Sequence, residues 1–332
     1  MKGLSLVELM ISLTLGLATV AAVGWVYLGT MQTYRTHDAI SRVQEGARHA
    51  FELISKDLRM SGTVGCPYTT FTNDLTTPTD WYKNLFGQPL SSIEQDGSDT
   101  DEVNEFSDAL SVLRADVSRE IIVSSHAGSA FSVPSGHGVQ DGELMVATDC
   151  NHAAVFQASG TTDTSIGHGA GGNLNATGNL GAAYTPNSRL YRMKAVTYFV
   201  RPNDAEVPSL YRMVPIGTAG TETPEELVEG VEDLQVTYGV DTDIPADGVV
   251  NLVDGEGYIS ADDVDSASVP GANAAEKWQR VVSVRVSLLL HTAEDRLAQE
   301  PQNYAYNGND DITAPDLRIR KVFTHVIKVR NR

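Results

Sequence analysis

The sequence predicts an α+β chain, one very long helix at the N-terminus followed by a succession of strands, and two observations carry that expectation. The first is a stretch from Leu4 to Arg59 that is continuously apolar and then amphipathic at helical spacing. The second is the recurrence beyond it of short apolar runs bounded by Gly, Pro, Asn and Asp, which is the punctuation of strands.

Between Leu4 and Leu28 the only charged side chain is Glu8. At about 1.5 Å per residue such a helix crosses a hydrocarbon core of about 30 Å. Lys2 lies on one flank and a strongly acidic remainder on the other, so the positive-inside bias keeps the N-terminus in the cytoplasm and exports the rest. A cleaved secretory signal would have a shorter apolar part, a small-x-small cleavage site and no internal charge. The helix signal then continues: Ile40, Val43, Ala47, Phe51, Ile54 and Leu58 recur at steps of three and four. Arg42, Glu45, Arg48, Glu52, Lys56 and Asp57 take the other face. One helix from Leu4 to Arg59 follows, about 80 Å long. Gly16, Gly24 and Gly29 permit bending or close packing, and Ser61-Gly62 ends it.

Thr69 to Asp108, rich in Asp, Thr, Ser and Pro, reads as surface loop. Strands are expected at Ala109 to Leu113, Glu120 to Val123, Leu144 to Thr148 and Val155 to Gln157. Gly160 to Gly181 reads as a Gly/Asn/Thr loop. Its Gly167, Gly169 and Gly172 match GxGxxG but lack the preceding strand and following helix of a dinucleotide site. Leu190 to Val200 and Leu210 to Val214 form a hairpin joined through Asn203-Asp204, Pro224 to Gly230 a short helical stretch, and Leu234 to Val240 a strand. The clearest strand is Val281 to Leu290, where Val282, Val284, Val286, Leu288 and Leu290 alternate with Ser283, Arg285 and Ser287. The last, Leu317 to Arg330, sets Phe323, Ile327 and Val329 against Arg318, Arg320 and Lys328. Pairing of this basic face with acidic neighbours in its own sheet is the expectation.

With 24 Lys and Arg against 43 Asp and Glu, the net charge of −19 argues against an electrostatic grip on nucleic acid or anionic lipid. Cys66 and Cys150 both lie beyond the membrane stretch, in an oxidising compartment, where a disulfide is the natural reading and two separate buried thiols the alternative. The eight histidines fall in no metal or catalytic spacing, and there is no nucleophile elbow or phosphate loop. The expectation is a protein that is not an enzyme.

Gly3-Leu4-Ser5-Leu6-Val7-Glu8-Leu9-Met10 resembles the type IV prepilin signature, in which a prepilin peptidase cuts after the glycine, methylates the new N-terminus and leaves a glutamate fifth in the mature chain. The resemblance makes Gly3 the cleavage glycine, Leu4 the methylated terminus and Glu8 the assembly residue. Leu4 stands where Phe is commoner, and the leader of Met1 to Gly3 is short. Further along, Gln44-Glu45-Gly46-Ala47-Arg48, Lys56 to Gly62 with Gly65-Cys66, Asp149-Cys150 with Val155 to Gln157, Glu226 to Gln235, Trp278 with Val282 to Leu290, and Arg320 to Thr324 are similar to the PilW family of minor pilins.

That resemblance implies a pilin-like α+β architecture: a leader (1–3), a transmembrane and filament-core helix (4–28), its amphipathic continuation (29–60), and a β-rich periplasmic or extracellular domain (61–332), the helix packing on antiparallel sheet. It implies a structural minor pilin, single-pass in the bacterial inner membrane and then in the pilus, that primes or caps type IV pilus assembly. Its partners would be other minor and major pilins, prepilin peptidase and the inner-membrane assembly machinery. A J-type pseudopilin of type II secretion, and a tip adhesin or ligand-binding subunit using the loops Thr69 to Asp108 and Gly160 to Gly181, are the rivals.

One stretch could hold Ca²⁺. Read as an EF-hand-type loop, Asp243 to Asp254 has Asp243, Asp247 and Asp254 at its first, fifth and last positions, Gly248 at the sixth and Asn251 at the ninth, with Pro245 out of place at the third. PilW-like chains carry an Asp-x-Asp-x-Asp-Gly run after a Tyr-Gly strand end, here Tyr238-Gly239. On that resemblance Asp241-Thr242-Asp243, with a short insertion before Asp247-Gly248, would be the same feature in another register. A solvated acidic loop is the competing account, and no other cofactor is expected.

Overall fold

The computed structural model describes residues 6–76, 83–93, 107–171, 173–214, 223–253 and 255–329. Helix α1 (Leu6–Arg59) runs 54 residues without a break. The N-terminal part of the β region holds β1 (Thr70–Asn73), β2 (Leu90–Ile93), β3 (Ala109–Ala115), β4 (Ile121–Ile122), β5 (Ser125–Ala127) and β6 (Ala130–Ser132). β7 (Leu144–Thr148), β8 (His152–Gln157), β9 (Ser159–Thr162), β10 (Ser165–Gly167), β11 (Arg189–Pro202), β12 (Pro208–Met213), β13 (Glu225–Glu229) and β14 (Val231–Val240) follow. Two short helices, α2 (Ala261–Val264) and α3 (Ala274–Trp278), precede β15 (Val281–His291), β16 (Asn303–Tyr306), β17 (Asn309–Thr313) and β18 (Arg320–Lys328). The α+β expectation holds.

The strands form a nine-stranded sheet along β1-β8-β7-β11-β12-β13 with β2, β3 and β4 beside it, a four-stranded sheet β5-β6-β10-β9, a three-stranded sheet β14-β15-β18 and the β16-β17 hairpin. The long strand β11 is the spine of the first sheet: its start pairs with β4 and β7, its middle with β3 and its end with β12. Pairing is antiparallel throughout the described ladders except β1 with β8.

The C-terminal half of α1 lies against β3, β13, β15 and β18. Val43, Ala47, Ala50, Phe51, Ile54 and Leu58 are buried there with Val284, Val286, Leu288 and Leu290 of β15. Gly46 sets the closest approach, since a Cβ there would come within 2.8 Å of Val228 Cγ1 on β13. At the helix end Gly62 turns at φ +70°, a conformation glycine adopts without cost, and its N–H donates to the Leu113 carbonyl at 2.9 Å. The alternation read in Val281 to Leu290 places Val284, Val286 and Leu288 in the core, and Leu288 to His291 are buried on both faces.

Three expectations are corrected. Residues 225–229 are a strand, not a helix: β13 extends the β11-β12 hairpin, Glu225 opposite Arg212 and Glu226 opposite Tyr211. The open edge of that hairpin offers a ladder of backbone partners that one helical turn cannot match. The stretch from Thr69 to Asp108 is not surface loop alone. It supplies β1 and β2, and Leu75, Leu85, Phe86 and Leu90 are core residues. Gly160 to Gly181 likewise contains β10, with Ile166 fully buried.

Candidate functional site

The N-terminal half of α1 stands clear of the rest of the described chain. From Leu6 to Tyr34 every residue is exposed, Trp25 and Val20 at 81% and 70%. The helix is long and apolar enough to cross a membrane. So large an apolar surface on a soluble face would be strongly unfavourable, and lipid or neighbouring helices are what cover such a stripe. Glu8 lies in the first turn of the described helix, where the positive end of the helix dipole favours a carboxylate. Gly3 and Leu4 lie outside the described residues.

Where α1 meets its domain, a buried network fixes the helix to the sheet. Asp57, assigned by helical spacing to the polar face, is 4% exposed. Its Oδ1 accepts from Arg114 Nε at 3.0 Å and sits 3.0 Å from a second guanidinium nitrogen, while its Oδ2 accepts from the Tyr198 hydroxyl at 2.7 Å. Burial, and then the Asp57 carboxylate, push the Tyr198 phenol far above its ordinary range, so it stays the donor. This network joins α1, β3 and β11, and sequence reasoning missed it. The available signal was the position of Asp57 between Ile54 and Leu58, inside the apolar stripe.

Along the other flank of α1 a groove of about 950 Å³ opens against β18, lined by Ala47, Arg48, Phe51, Lys56, Phe323 and His325 among others. Phe51 and His325 stack across it with ring centroids 4.2 Å apart. Strand β18 pairs with β15 on one side only among the described residues. On its basic face Arg320 is answered from within, and Arg318 comes within 3.9 Å of Asp316. Arg320, 3% exposed, donates to Glu232 at 2.8 and 2.7 Å and to Asp316 at 2.5 Å, as the sequence led us to expect.

Cys66 and Cys150 are joined in a disulfide, Cα atoms 5.3 Å apart, that ties the segment after α1 to the β7-β8 turn. Closing the 84-residue separation contributes up to roughly 4.5 kcal/mol in the chain-entropy account. Cys150 takes φ +65° at the tip of that turn, where Asp149 accepts from the Asn151 and His152 N–H groups.

The acidic stretch after β14 brings three carboxylates together. Asp241, Asp243 and Asp247 each bring one carboxylate oxygen within 4.8 Å of the others. Asp241 is buried, its oxygens accepting from the Gly248 N–H at 2.6 Å and the Asp243 N–H at 3.0 Å. Burial raises its proton affinity, but the N–H bonds from Gly248, Asp243 and Asp247 and the charge of Arg280 outweigh it and hold the carboxyl below its ordinary range. Gly248 turns the loop at φ +78°. Asn251 is used inside the loop, accepting from Thr242 N–H at 2.6 Å and donating to Asp243 at 3.2 Å. Asp254 lies outside the described residues. Three hard oxygen donors at this spacing suit Ca²⁺.

Residues 197–331 match the model of a family described as type IV pilus-assembly protein W, PilW. The matched region runs from the middle of β11 past the end of β18. No curated protein and no solved structure matches the chain.

Proposed function

From the PilW match over residues 197–331 we infer that the chain is a pilin-like structural subunit of type IV pilus assembly, a minor pilin that primes or caps the filament. The observation that carries the reading is the division of α1. One half is buried on the family-matched sheet, and the other is apolar, exposed and long enough to cross the inner membrane. A subunit of this form waits in the bilayer and exchanges lipid contacts for contacts with neighbouring helices as it enters a filament. Its roles require no catalysis, and its partners are other minor and major pilins, with prepilin peptidase acting earlier at Gly3-Leu4.

Glu8 is the assembly handle in this reading. A carboxylate at membrane depth costs on the order of 2.5–3.5 kcal/mol on insertion scales, and pairing with the amine of a neighbouring subunit or of its own mature N-terminus offsets that cost. Glu8→Ala should insert normally, yet recover fewer partner pilins on co-purification from membranes. Unchanged recovery, with the chain absent from sheared surface filaments, would sink the reading.

A further inference from the structure

Outside the helix and the acidic loop, two histidines meet with every ring nitrogen engaged. His126 on β5 and His168, just after β10, approach Nε2 to Nε2 at 2.9 Å. Their other ring nitrogens are also engaged. His168 Nδ1 faces the Gly178 carbonyl at 3.1 Å, a partner that only accepts, so this nitrogen carries a proton. His126 Nδ1 accepts the Tyr184 backbone N–H at 3.2 Å, so this nitrogen carries none. One neutral assignment satisfies all three contacts: Tyr184 N–H donates to His126, His126 Nε2–H donates to His168, and His168 Nδ1–H donates to Gly178.

No charged form satisfies them. A proton on His168 Nε2 would confront the one on His126 Nε2, and a proton on His126 Nδ1 would confront the Tyr184 N–H. We propose that this histidine relay is an acid-sensitive latch, holding His168 and residues 173–184 on the four-stranded sheet when neutral and releasing them when protonated.

The surroundings favour the neutral pair. His168 is 1% exposed, and His126 stacks on Phe131 with centroids 4.3 Å apart. Burial lowers the proton affinity of both rings, and for His168 the neighbouring His126 adds to it. The Gly178 carbonyl and the Asp74 carboxylate act in the opposite sense on His168. Asp74 is committed elsewhere, accepting from Thr177 and Gly178 N–H groups of the same segment. The rings packed on the pair among the described residues, those of Phe131, Phe156 and Tyr184, carry no charge. A group whose proton affinity is depressed by folding stabilises fully above its ordinary value and loses that contribution as the pH falls below it. The latch is therefore closed at neutral pH and weakens below about pH 6.5. In the exported orientation proposed above, this part of the chain meets the pH outside the cytoplasm.

Hydrogen exchange of the full chain in detergent, disulfide intact and corrected for intrinsic rates, tests this. Each imidazole freed by opening multiplies the opening constant by up to about tenfold between about pH 7.5 and about pH 5.5, so the described parts of 124–133 and 165–185 should open more often in acid, by up to about a hundredfold for both rings together. β14 and β15 should not follow. His126→Gln with His168→Asn replaces both rings by neutral amides and should abolish the acid step whatever its effect at neutral pH. If that variant does not fold, ¹⁵N spectra of the unaltered chain decide the matter, with His126 expected as the Nε2–H tautomer and His168 as the Nδ1–H tautomer. An acid step under threefold, an equal step in β14 and β15, a step that persists in the double variant, or the opposite tautomers would each overturn the proposal.

Discussion

Asp57→Ala should be among the most damaging single changes in the β-rich domain, and its size follows from what it strands. The substitution removes the carboxylate and leaves the Arg114 guanidinium, 10% exposed at its side chain, with its charge unanswered beneath the helix. Breaking a buried ion pair by removing one partner costs roughly 3–5 kcal/mol, because the survivor's desolvation is no longer offset. The Tyr198 hydroxyl also loses its acceptor, and Tyr198→Phe alone should cost about 1 kcal/mol. Replacing both charged partners, Asp57→Ala with Arg114→Met, should recover much of the loss, since an apolar pair of similar volume avoids the desolvation. Urea denaturation of the full chain in detergent, followed by tryptophan fluorescence, measures each midpoint. A loss below about 1 kcal/mol for Asp57→Ala, or a double variant as unstable as the single, would refute the argument that this network fixes the helix.

Gly3→Leu should block maturation, because a side chain would then stand at the bond the peptidase cuts; intact-mass analysis showing normal shortening and methylation would dispose of the assignment. Ca²⁺ should raise the melting temperature of the chain, since a ligand at ten times its dissociation constant stabilises by about 1.4 kcal/mol, and Asp247→Ala should remove the shift. Calorimetry at millimolar Ca²⁺ with neither heat nor thermal shift would mean that the three carboxylates form a solvated loop only.

Helix α1 and strand β15 were legible because each obeys a single period over many residues, 3.6 in one and 2 in the other. Asp57 was not, because a carboxylate next to Lys56 reads as surface charge until Arg114 and Tyr198, distant in sequence, are seen to meet it. Residues 225–229 failed for a related reason. Glu225, Glu226 and Glu229 carry no strand propensity, and the edge of β12 rather than local preference decides their state. The cysteine pairing needed only the compartment argument, since there are two cysteines and one bond between them. In the acidic loop the carboxylates were legible as a cluster of like charge, while the burial of Asp241 was not, since it depends on N–H groups of Gly248 and Asp243 that only the folded loop presents.

The two ends of α1 are coupled by geometry. Glu8 and Asp57 are 49 residues apart on one unbroken helix, which at about 1.5 Å per residue separates them by about 74 Å. A tilt of only about 5° where the helix enters its domain would carry the Glu8 end sideways by about 6 Å, twice the length of a hydrogen bond. If Glu8 pairs with an amine of a neighbouring subunit, as in the assembly role proposed above, that pairing depends on how firmly the far end of the helix is held. The apolar contacts of Phe51, Ile54 and Leu58 resist separation but allow sliding and rotation, because dispersion and burial have little directionality. Asp57, bonded to β3 through Arg114 and to β11 through Tyr198, is directional in two strands at once, and Gly46 lets β13 close on the same helix higher up. Fixing both the azimuth and the tilt of a long lever requires contacts of this directional kind, which gives a reason for burying a charge at Asp57 where a leucine would have packed more cheaply.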